Sequence, residues 1–478
     1  MEFSGEVIDK KKIFNSFVWK VLERLFTQGI NLIVQIVLAR ILLPDDFGSL
    51  AIIVAITNYA AIFVQSGIST VIIQKKDIDN LDISTLLSSS LLIALIVYLL
   101  IFIFAPLVSA FYSMPSLTWP LRILGLILFF NAINSIQTAI LIRNLKFKSL
   151  FFRSVIAIPI SGTIGIGMAL SGYGIWALIF QILSNILIVD IIMSFGLNCK
   201  FSLSFSLKRA RKLFPFCVGL LMTSLLAGFS DILRTLTIGK KYTTESLAYY
   251  DKANTYSAYA TQIATQSTAS VLLPTFSRSQ ENYVRLKGMV RKSVRLTCFI
   301  MMPLLAFVAI NSHQIISILL TEKWLGCVKY LQIFCLLRIA ICISTIDKQV
   351  YFAMGNSLIG VYYEIGLLIF NTILLVFALP FGIMYLAIGI TLVELVGMLI
   401  LFLVSNKLFN YSFKERLKDL VKPIVSTSTL IVWLIIVNSI ILNSFLQLIL
   451  GFIFGVIIYL FTSYFLKDEC MDSIRLRK

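Results

Sequence analysis

The stretch Leu38–Ala51, LARILLPDDFGSLA, ends a long apolar segment, is interrupted by Pro44 and two acids, and returns to apolar residues at Phe47. Two hundred positions further on, Ile238–Asp251 reads IGKKYTTESLAYYD and repeats the pattern of small, basic and acidic residues. A repeat at a fixed offset is typical of a chain built from two duplicated halves. The identities are few, so a chance match is the alternative. The matched positions are Ala39 and Gly239, Arg40 and Lys240, Asp45 and Glu245, and Gly48 and Ala248.

The composition predicts a membrane protein. Hydrophobic residues make up 59% and charged residues 13% of the 478 residues, whereas soluble domains carry about 25% charged residues. A helix of about 20 apolar residues crosses a bilayer, and the chain has room for roughly a dozen or more. The short alternating segments that a membrane β-barrel needs are absent from the sequence. The predicted fold class is therefore all-α, polytopic and membrane-spanning.

Apolar runs separated by charged or turn residues predict fourteen spans. The first six form one predicted lobe within residues 1–200, and the next six form a second lobe within 213–405. Two accessory helices and a cytoplasmic tail occupy 406–478. The predicted spans are 13–41, 47–73, 83–110, 117–141, 151–170, 173–196, 213–239, 246–275, 289–318, 327–351, 357–380, 383–405, 419–442 and 445–466.

The formal net charge of +18 is explained by membrane topology rather than by nucleic-acid binding. With the N-terminus placed in the cytoplasm, most of the 41 Lys and Arg residues fall in cytoplasmic segments, as the positive-inside rule requires. Both termini are therefore predicted to be cytoplasmic. Contact with anionic lipid headgroups is a secondary role for these residues. No nucleic-acid partner is expected.

The first span is polar along one helix face. Since a charge at mid-bilayer costs roughly 2.5–3.5 kcal/mol, this face should meet protein or water rather than lipid. The alternative is a helix packed through interhelical hydrogen bonds. In the seventh span, Asp231 and Arg234 have i,i+3 spacing and are predicted to pair. The polar residues of the first span, spaced three or four positions apart, are Lys20, Arg24, Gln28, Asn31 and Gln35.

The eighth span is the least apolar. Asp251, Thr255, Gln262 and Gln266 keep helical spacing on one of its sides. Such a helix is stable in a bilayer when protein and water surround it, which predicts a hydrated central cavity. The alternative is a helix that lies outside the membrane.

Arg24 and Arg338 have no evident local partner in the sequence. An arginine that faces a wet cavity can bind a phosphate group through two parallel hydrogen bonds. The alternative is an arginine paired with a distant acid such as Glu364 or Glu394. The candidate ion-coupling residues are Asp251, Glu364 and Glu394.

The sequence has few of the residue patterns that catalytic sites require. It has no Walker-type Gly-Lys-Ser loop, so ATP hydrolysis is not expected. His313 is the only histidine, and the seven cysteines lack paired metal-ligand spacing. We therefore predict no cofactor, no metal site and no enzymatic activity. Asp45 and Asp46 are interpreted as solvated residues of an external turn.

Four stretches resemble motifs of the polysaccharide-exporting flippases in the multidrug/oligosaccharidyl-lipid/polysaccharide superfamily. They stand in the expected order over most of the chain. In two places the sequence departs from the family pattern: Leu320-Thr321 stands where Leu-Gly is usual, and Ala248-Tyr249-Tyr250 where Gly-aromatic-Tyr is usual. The resembling stretches are LARILLPDDFGSLAI (38–52), LIRNLKFKSL (141–150), LLTEKWLGCVKYLQIFCL (319–336) and LPFGIMYLAIG (379–389).

The resemblance implies two six-helix lobes around a central cavity, with two accessory helices, working by alternating access in the bacterial cytoplasmic membrane. It also implies the cargo, an undecaprenyl-diphosphate-linked oligosaccharide repeat unit. Membrane lipid and a polysaccharide polymerase with its chain-length machinery are the other expected partners, and an ion gradient is the expected energy source. Cations expected to attract the diphosphate or acidic sugars are Lys20, Arg24, Arg234, Lys252 and Arg338. Amides expected to bind the glycan are Gln28, Asn31, Gln35, Gln262 and Gln266.

Two other functions stay open at this point. A drug or small-metabolite antiporter of the same superfamily would need an acidic, aromatic-lined cavity, whereas the charges within the spans here include several cations. A membrane-embedded glycan polymerase or glycosyltransferase would be expected to carry a sizeable external loop or a soluble domain. The sequence has no segment long and polar enough to form either.

Overall fold

The computed structural model describes residues 10–65, 67–75, 78–144, 146–196, 204–277 and 282–471, and within these ranges it is helical with no strand. Three short 3-10 helices lie at Pro115–Leu117, Glu322–Cys327 and Leu379–Phe381. The α-helices are α1 Lys10–Ile41, α2 Pro44–Gln65, α3 Ile68–Gln74, α4 Asn80–Tyr112, α5 Thr118–Gly125, α6 Ile127–Arg143, α7 Phe147–Leu170, α8 Ile175–Gly196, α9 Leu207–Lys241, α10 Thr244–Ser277, α11 Tyr283–Ile310, α12 Ser312–Leu320, α13 Val328–Ala353, α14 Ser357–Ala378, α15 Ile383–Phe409, α16 Phe413–Ile440 and α17 Ser444–Phe465.

The predicted all-α membrane fold class is confirmed. Thirteen segments of the described chain are long and apolar enough to cross a bilayer. They correspond to every predicted span except the eighth, and some of them are broken helices, such as α2 and α3, which are separated at Gly67 with a φ of +82°. The eighth predicted span is α10, which is 34 residues long but too polar to qualify by composition. The total of fourteen spans stays a prediction.

The first compact unit of the chain is Met1–Ala248. Its main core lies between α2, α4, α5, α6 and α8, and includes the buried side chains of Ile53, Leu128 and Ile179. In this unit α9 packs on α2 and α4, and α1 packs on α7. The close approach of α1 to α7 depends on Gly162, where an added Cβ would lie 2.6 Å from Val34.

The second compact unit is Tyr249–Lys478, so the boundary between the units falls within α10. Here α13 packs on α11 and α15, while α16 packs on α11 and α17. Large buried side chains fill the core, among them Tyr351, Phe402 and Tyr411. The predicted division at residues 1–200, 213–405 and 406–478 stays a prediction.

The stretch that leads into α2 packs against its own repeat, within the first unit. Thr244 donates a hydrogen bond from Oγ1 to Oδ1 of Asp45 at 2.6 Å. Gly48 lies so close to Thr244 that an added Cβ would be 1.9 Å from the Thr244 carbonyl oxygen. Ala39 and Ala248, two of the small residues at repeated positions, are fully buried. Small residues recur in both stretches because the first turns of two helices approach each other closely there.

The interpretation of Asp45 and Asp46 as merely solvated residues is wrong. Both lie in the first turn of α2, where a carboxylate is stabilised by the positive end of the helix dipole. Asp45 accepts the hydrogen bond from Thr244, and Oδ2 of Asp46 accepts the backbone N–H of Leu43 at 3.3 Å. These carboxylates therefore fix the turn before α2 and join it to the start of α10.

Replacing Gly48 by alanine is expected to lower the free energy of unfolding by roughly 1–3 kcal/mol, because the new Cβ would overlap Thr244 and force the backbone to shift. The thermal unfolding midpoint of the purified protein in detergent measures this effect. Gly29→Ala is the matched control, since a Cβ there meets no atom within 4 Å. An unchanged midpoint for Gly48→Ala would contradict the packing described above.

Candidate functional site

The predicted polar face of α1 is flanked by the face that packs on α7. Trp19 and Phe26 of α1 contact the ring of Phe151, with centroids 5.3 and 5.6 Å away. Lys20 is exposed, and its Nζ lies 5.8 Å from the centroid of the Phe147 ring. The structure thus places five polar side chains along one helix, of which Lys20 also contacts an aromatic ring of α7. The four that are half-buried are Arg24, Gln28, Asn31 and Gln35.

The predicted ion pair on α9 is present. Arg234 donates from Nη2 to Oδ1 of Asp231, one turn earlier on the same helix. Arg234 is half-buried, whereas the carboxylate of Asp231 is largely exposed. Because a local carboxylate already partly neutralises Arg234, its attraction for an anionic ligand would be weaker than that of an arginine held by neutral groups.

The start of α10 is held by aromatic contacts within the second unit. Tyr249 donates its hydroxyl hydrogen to the carbonyl of Lys323 at 2.9 Å, and its ring meets that of Trp324 edge-on at 6.1 Å. At Gly326 an added Cβ would lie 2.4 Å from the Tyr249 ring. Thr321 has a φ of +79°, a conformation that favours glycine. The departure at Leu320-Thr321 from the family pattern therefore falls where glycine would relieve backbone strain.

Arg338 of α13 donates three hydrogen bonds to the polar side of α10. Its Nε donates to Oγ of Ser257 at 3.1 Å. Its Nη2 donates to the carbonyl oxygen of Asn254 at 3.0 Å and to the side-chain oxygen of the same residue at 2.6 Å. These three bonds come from one rigid guanidinium plane, which fixes both the turn of α10 and the position of the charge. These three acceptors are neutral, and the charge of Arg338 also interacts electrostatically with Glu394.

The other predicted residues of α10 lie along the same helix. Lys252 is only 6% exposed, and its Nζ lies 6.0 Å from the centroid of the Tyr256 ring. Asp251 and Gln262 are half-buried. The side chain of Gln266 lies outside the described residues. α10 thus carries an acid, a buried cation and an amide within three turns, in addition to the turn held by Arg338.

The two candidate ion-coupling glutamates, Glu364 and Glu394, are linked by two neighbouring side chains, Lys348 and Tyr363. Nζ of Lys348 donates to Oε1 of Glu364 at 2.9 Å. The hydroxyl of Tyr363 donates to Oε1 of Glu394 at 3.2 Å, and Lys348 lies 5.4 Å from the centroid of the Tyr363 ring. The structure therefore brings Glu364 and Glu394 into one cluster across α13, α14 and α15. Arg338, which donates the hydrogen bonds described above to α10, also interacts electrostatically with Glu394.

Sequence reasoning missed a fully buried ion pair in the second unit. Asp347, next to Lys348, is 0% exposed and Arg416 of α16 is 1% exposed. Nη1 and Nη2 of Arg416 donate to the two carboxylate oxygens at 2.8 and 2.7 Å. The guanidinium also lies over the rings of Phe402 and Tyr411, at 4.2 and 4.3 Å from their centroids. An acid inside an apolar run signalled that Asp347 needs a partner, but nothing in the sequence located it.

A second buried acid was also missed, in the first unit. Asp190 of α8 is 6% exposed and accepts a hydrogen bond from Nδ2 of Asn134 at 3.0 Å. Nearby, Nε2 of Gln137 donates to Oγ of Ser194 at 3.0 Å. The signal was available in the sequence, because Asp190 interrupts the apolar run of the sixth span.

The predicted site residues thus fall into groups. Lys20, Arg24, Gln28, Asn31, Gln35 and Arg234 belong to the first unit, and Asp251, Lys252, Gln262, Arg338, Glu364 and Glu394 belong to the second. In the part of the chain that the structure describes, no group of three or more His, Cys, Asp or Glu side chains could hold a metal ion.

Long apolar helices with charged and amide side chains held inside each unit define the chain as a polytopic helical membrane protein. A family model described as polysaccharide biosynthesis protein matches residues 37–329, more than half of the chain. The chain belongs to this family.

Two curated relatives are similar to the chain over much of its length. The succinoglycan biosynthesis transport protein ExoT of Rhizobium meliloti (strain 1021) is 23% identical over 66% of this chain, and the match covers 64% of that protein. The lipopolysaccharide biosynthesis protein WzxC of Escherichia coli (strain K12) is 23% identical over 88% of this chain and 87% of its own length. The chain thus spans slightly less than two thirds of ExoT and most of WzxC.

The fold is similar to that of a solved membrane protein. The lipid II flippase MurJ, in an inward closed conformation, superposes with a TM-score of 0.80 at 18% identity. The superposition covers 95% of this chain and all of that chain. At this level of identity the likeness establishes a shared fold.

Proposed function

We propose that this chain is a flippase, which moves undecaprenyl-diphosphate-linked oligosaccharide repeat units across the bacterial cytoplasmic membrane for surface polysaccharide synthesis. The observation that carries the proposal is the family match over residues 37–329, in a chain whose charged and amide side chains lie on membrane helices. Support also comes from the relatives, since ExoT is named a transport protein for succinoglycan biosynthesis and WzxC a lipopolysaccharide biosynthesis protein.

The cations and amides within the helices suit such a cargo chemically. A diphosphate carries charge that guanidinium and ammonium groups bind strongly in a site shielded from water. Arg338 retains its charge because its hydrogen bonds to Asn254 and Ser257 involve neutral groups. The amides of Gln28 and Gln262 offer both donors and acceptors to sugar hydroxyls. The remaining residues proposed to bind are Lys20, Arg24, Asn31, Gln35, Arg234, Lys252 and Gln266.

The proposal also covers the transport cycle, its energy source and the proteins that receive the product. The lobes of residues 1–200 and 213–405 would work by alternating access, with both termini in the cytoplasm. An ion gradient would drive the cycle, and the acids proposed to carry the ion are Asp251, Glu364 and Glu394. A polysaccharide polymerase and its chain-length machinery would receive the unit after transfer.

Deletion of the coding sequence is expected to leave lipid-linked repeat units on the cytoplasmic face of the membrane and to abolish the surface polysaccharide. The measurement is the fraction of these units that a membrane-impermeant glycosidase reaches in right-side-out and inverted vesicles. Re-expression of the chain is the control. Equal accessibility in both vesicle types, with a normal surface polysaccharide, would overturn the proposed function. Sensitivity of the deletion strain to cationic drugs, with unchanged polysaccharide, would favour an antiporter instead.

A further inference from the structure

A small pocket lies between the start of α7 and the end of α8 in the first unit. Two cations of α7 line it: Lys148 is exposed and Arg153 is half-buried. Neither residue is among those proposed to bind the substrate, so the ligand of this pocket has to be inferred from the chemistry of the pocket itself. The remaining lining residues are Leu141, Ser149, Phe152, Ile192 and Met193.

The guanidinium of Arg153 is incompletely hydrogen-bonded. Its Nη1 donates to Oγ1 of Thr138 at 2.9 Å and to Sδ of Met193, and a thioether sulfur is only a weak acceptor. Its Nε is buried and has no acceptor in the part of the chain that the structure describes. A buried donor without an acceptor is costly. Arg153 therefore favours a ligand that carries several strong acceptor oxygens, and a phosphate group is such a ligand.

Cations outnumber acids around the pocket. Arg153 interacts electrostatically with Glu23 of α1 and Asp190 of α8. Glu23 is shared, because it also interacts with two cations of α1. Two acids thus face four cations, and the excess of positive charge makes the pocket complementary to an anion. The four cations are Lys20, Arg24, Lys148 and Arg153.

The pocket lies at the end of a membrane segment, where lipid headgroups meet the hydrocarbon. With 24 residues, α7 is about 36 Å long at 1.5 Å per residue, so its first turn extends beyond a hydrocarbon core of roughly 30 Å. Nζ of Lys148 lies 5.7 Å from the ring centroid of Trp19, a residue type that is enriched at this interface. Phe152, Ile156 and Ile160 then follow one another at i,i+4 spacing and are 46%, 44% and 44% exposed. They form an apolar stripe that leads from the pocket along α7.

We propose that this pocket binds the phosphate headgroup of an anionic membrane phospholipid, such as phosphatidylglycerol, as a resident lipid that is not transported. Lys148 and Arg153 bind the phosphate oxygens, and the hydroxyl of Ser149 can hydrogen-bond to the glycerol headgroup. An acyl chain lies along the apolar stripe of α7. Free phosphate shares the headgroup chemistry, but only a lipid also uses this stripe. The inference does not rest on the proposed function, because a resident lipid can be bound whatever the cargo is.

The test measures binding of dioleoylphosphatidylglycerol to the full chain in nonionic detergent by native mass spectrometry, with dioleoylphosphatidylcholine as the zwitterionic reference. The anionic lipid is expected to bind the unmodified chain more tightly than the reference. Lys148→Gln combined with Arg153→Gln is expected to weaken its binding about tenfold or more, because hydrogen bonds between charged groups are lost. Lys146→Gln is the matched control, since Lys146 is also exposed but does not line the pocket. The control is expected to bind as the unmodified chain does.

Four results would overturn the inference. The first is equal binding of the two lipids by the unmodified chain, and the second is equal binding of the anionic lipid by the double variant and the Lys146→Gln control. The third is full displacement of the lipid by millimolar inorganic phosphate, which would make the pocket a site for free phosphate. The fourth is displacement by an equimolar amount of undecaprenyl phosphate, which would assign the pocket to the transported lipid.

The single variant Lys148→Gln keeps the test decisive if the double variant does not fold. The side chain of Lys148 is exposed, so its replacement should not disturb the packing of α7. A several-fold loss of phosphatidylglycerol binding supports the site, and unchanged binding overturns it.

Discussion

Replacing Asp347 by alanine is expected to remove most of the folded protein. The substitution would leave Arg416 buried at 1% exposure without the two carboxylate oxygens that now accept from its guanidinium. Breaking a buried ion pair from one side costs about 3–5 kcal/mol, a large part of the roughly 5–15 kcal/mol by which a folded protein is stable. The yield of monodisperse protein and its thermal unfolding midpoint in detergent measure the effect.

Two further variants make this prediction specific. Asp347→Leu combined with Arg416→Met is expected to recover much of the lost stability, because replacing both charges by apolar groups leaves no buried charge unpaired. Lys348→Ala is the matched control, since its partner Glu364 is 45% exposed and partly exposed pairs contribute only about 0–1 kcal/mol. A normal midpoint for Asp347→Ala alone would show that the pair does not hold the structure together.

Further ion pairs, together with that of Asp347 and Arg416, fix α16 in the second unit. Asp419 of α16 accepts hydrogen bonds from Nε of Arg291 at 2.8 Å and from Nε of Arg295 at 2.8 Å, both on α11. Lys287 pairs with Glu415 at 2.7 Å. Together with Asp347 and Arg416, these pairs join α16 to α11 and α13 at one end of the helix. The first turns of α16 are therefore held in this unit by these charged side chains.

The fold class and most helices could be predicted from the sequence because lipid imposes a strong rule. Every backbone polar group must be satisfied within the segment, so long apolar runs become helices. Breaks inside spans were harder to predict. At Gly67 the chain adopts a positive φ and divides the second span into α2 and α3. A single glycine in a sequence is not enough to predict such a break. The polarity of α10 was evident, whereas the contact of its Tyr249 with Trp324 and Gly326 was not.

The candidate site could be predicted only as separate residues. Periodicity identified the polar side of α1, and local spacing identified the pair of Asp231 and Arg234. Partners far apart in sequence were not predictable, because periodicity describes which face a residue occupies and not which helix lies opposite. Arg338 is the clearest case, because its hydrogen bonds to Asn254 and Ser257 go to neutral side chains that carry no charge signal in the sequence.

Replacing Arg338 by alanine is expected to lower export of the surface polysaccharide by about tenfold to a hundredfold. Hydrogen bonds to a charged group are worth roughly 1.5–3 kcal/mol, and each 1.4 kcal/mol corresponds to about a tenfold change. The variant loses both the hydrogen bonds to α10 and the cation that is proposed to bind the diphosphate. Polysaccharide at the cell surface is measured against the amount of the protein in the membrane, which is expected to stay near normal. Arg24→Ala with Arg338→Ala is expected to abolish export.

Conservative variants separate the two roles of Arg338. Arg338→Lys keeps the charge but cannot donate from Nε and Nη2 in one plane, so we expect export between that of the unmodified chain and that of Arg338→Ala. Ser257→Ala removes the 3.1 Å bond to Nε together with the 2.8 Å bond that Ser257 Oγ donates to the Asn254 carbonyl, and should reduce export slightly. Full export by Arg338→Lys would mean that the positive charge is enough for export and that the hydrogen bonds to α10 are not needed. Normal export by the double Arg24 and Arg338 variant would rule out both residues as substrate-binding groups, because a cation that can be deleted without effect does not contribute to transport.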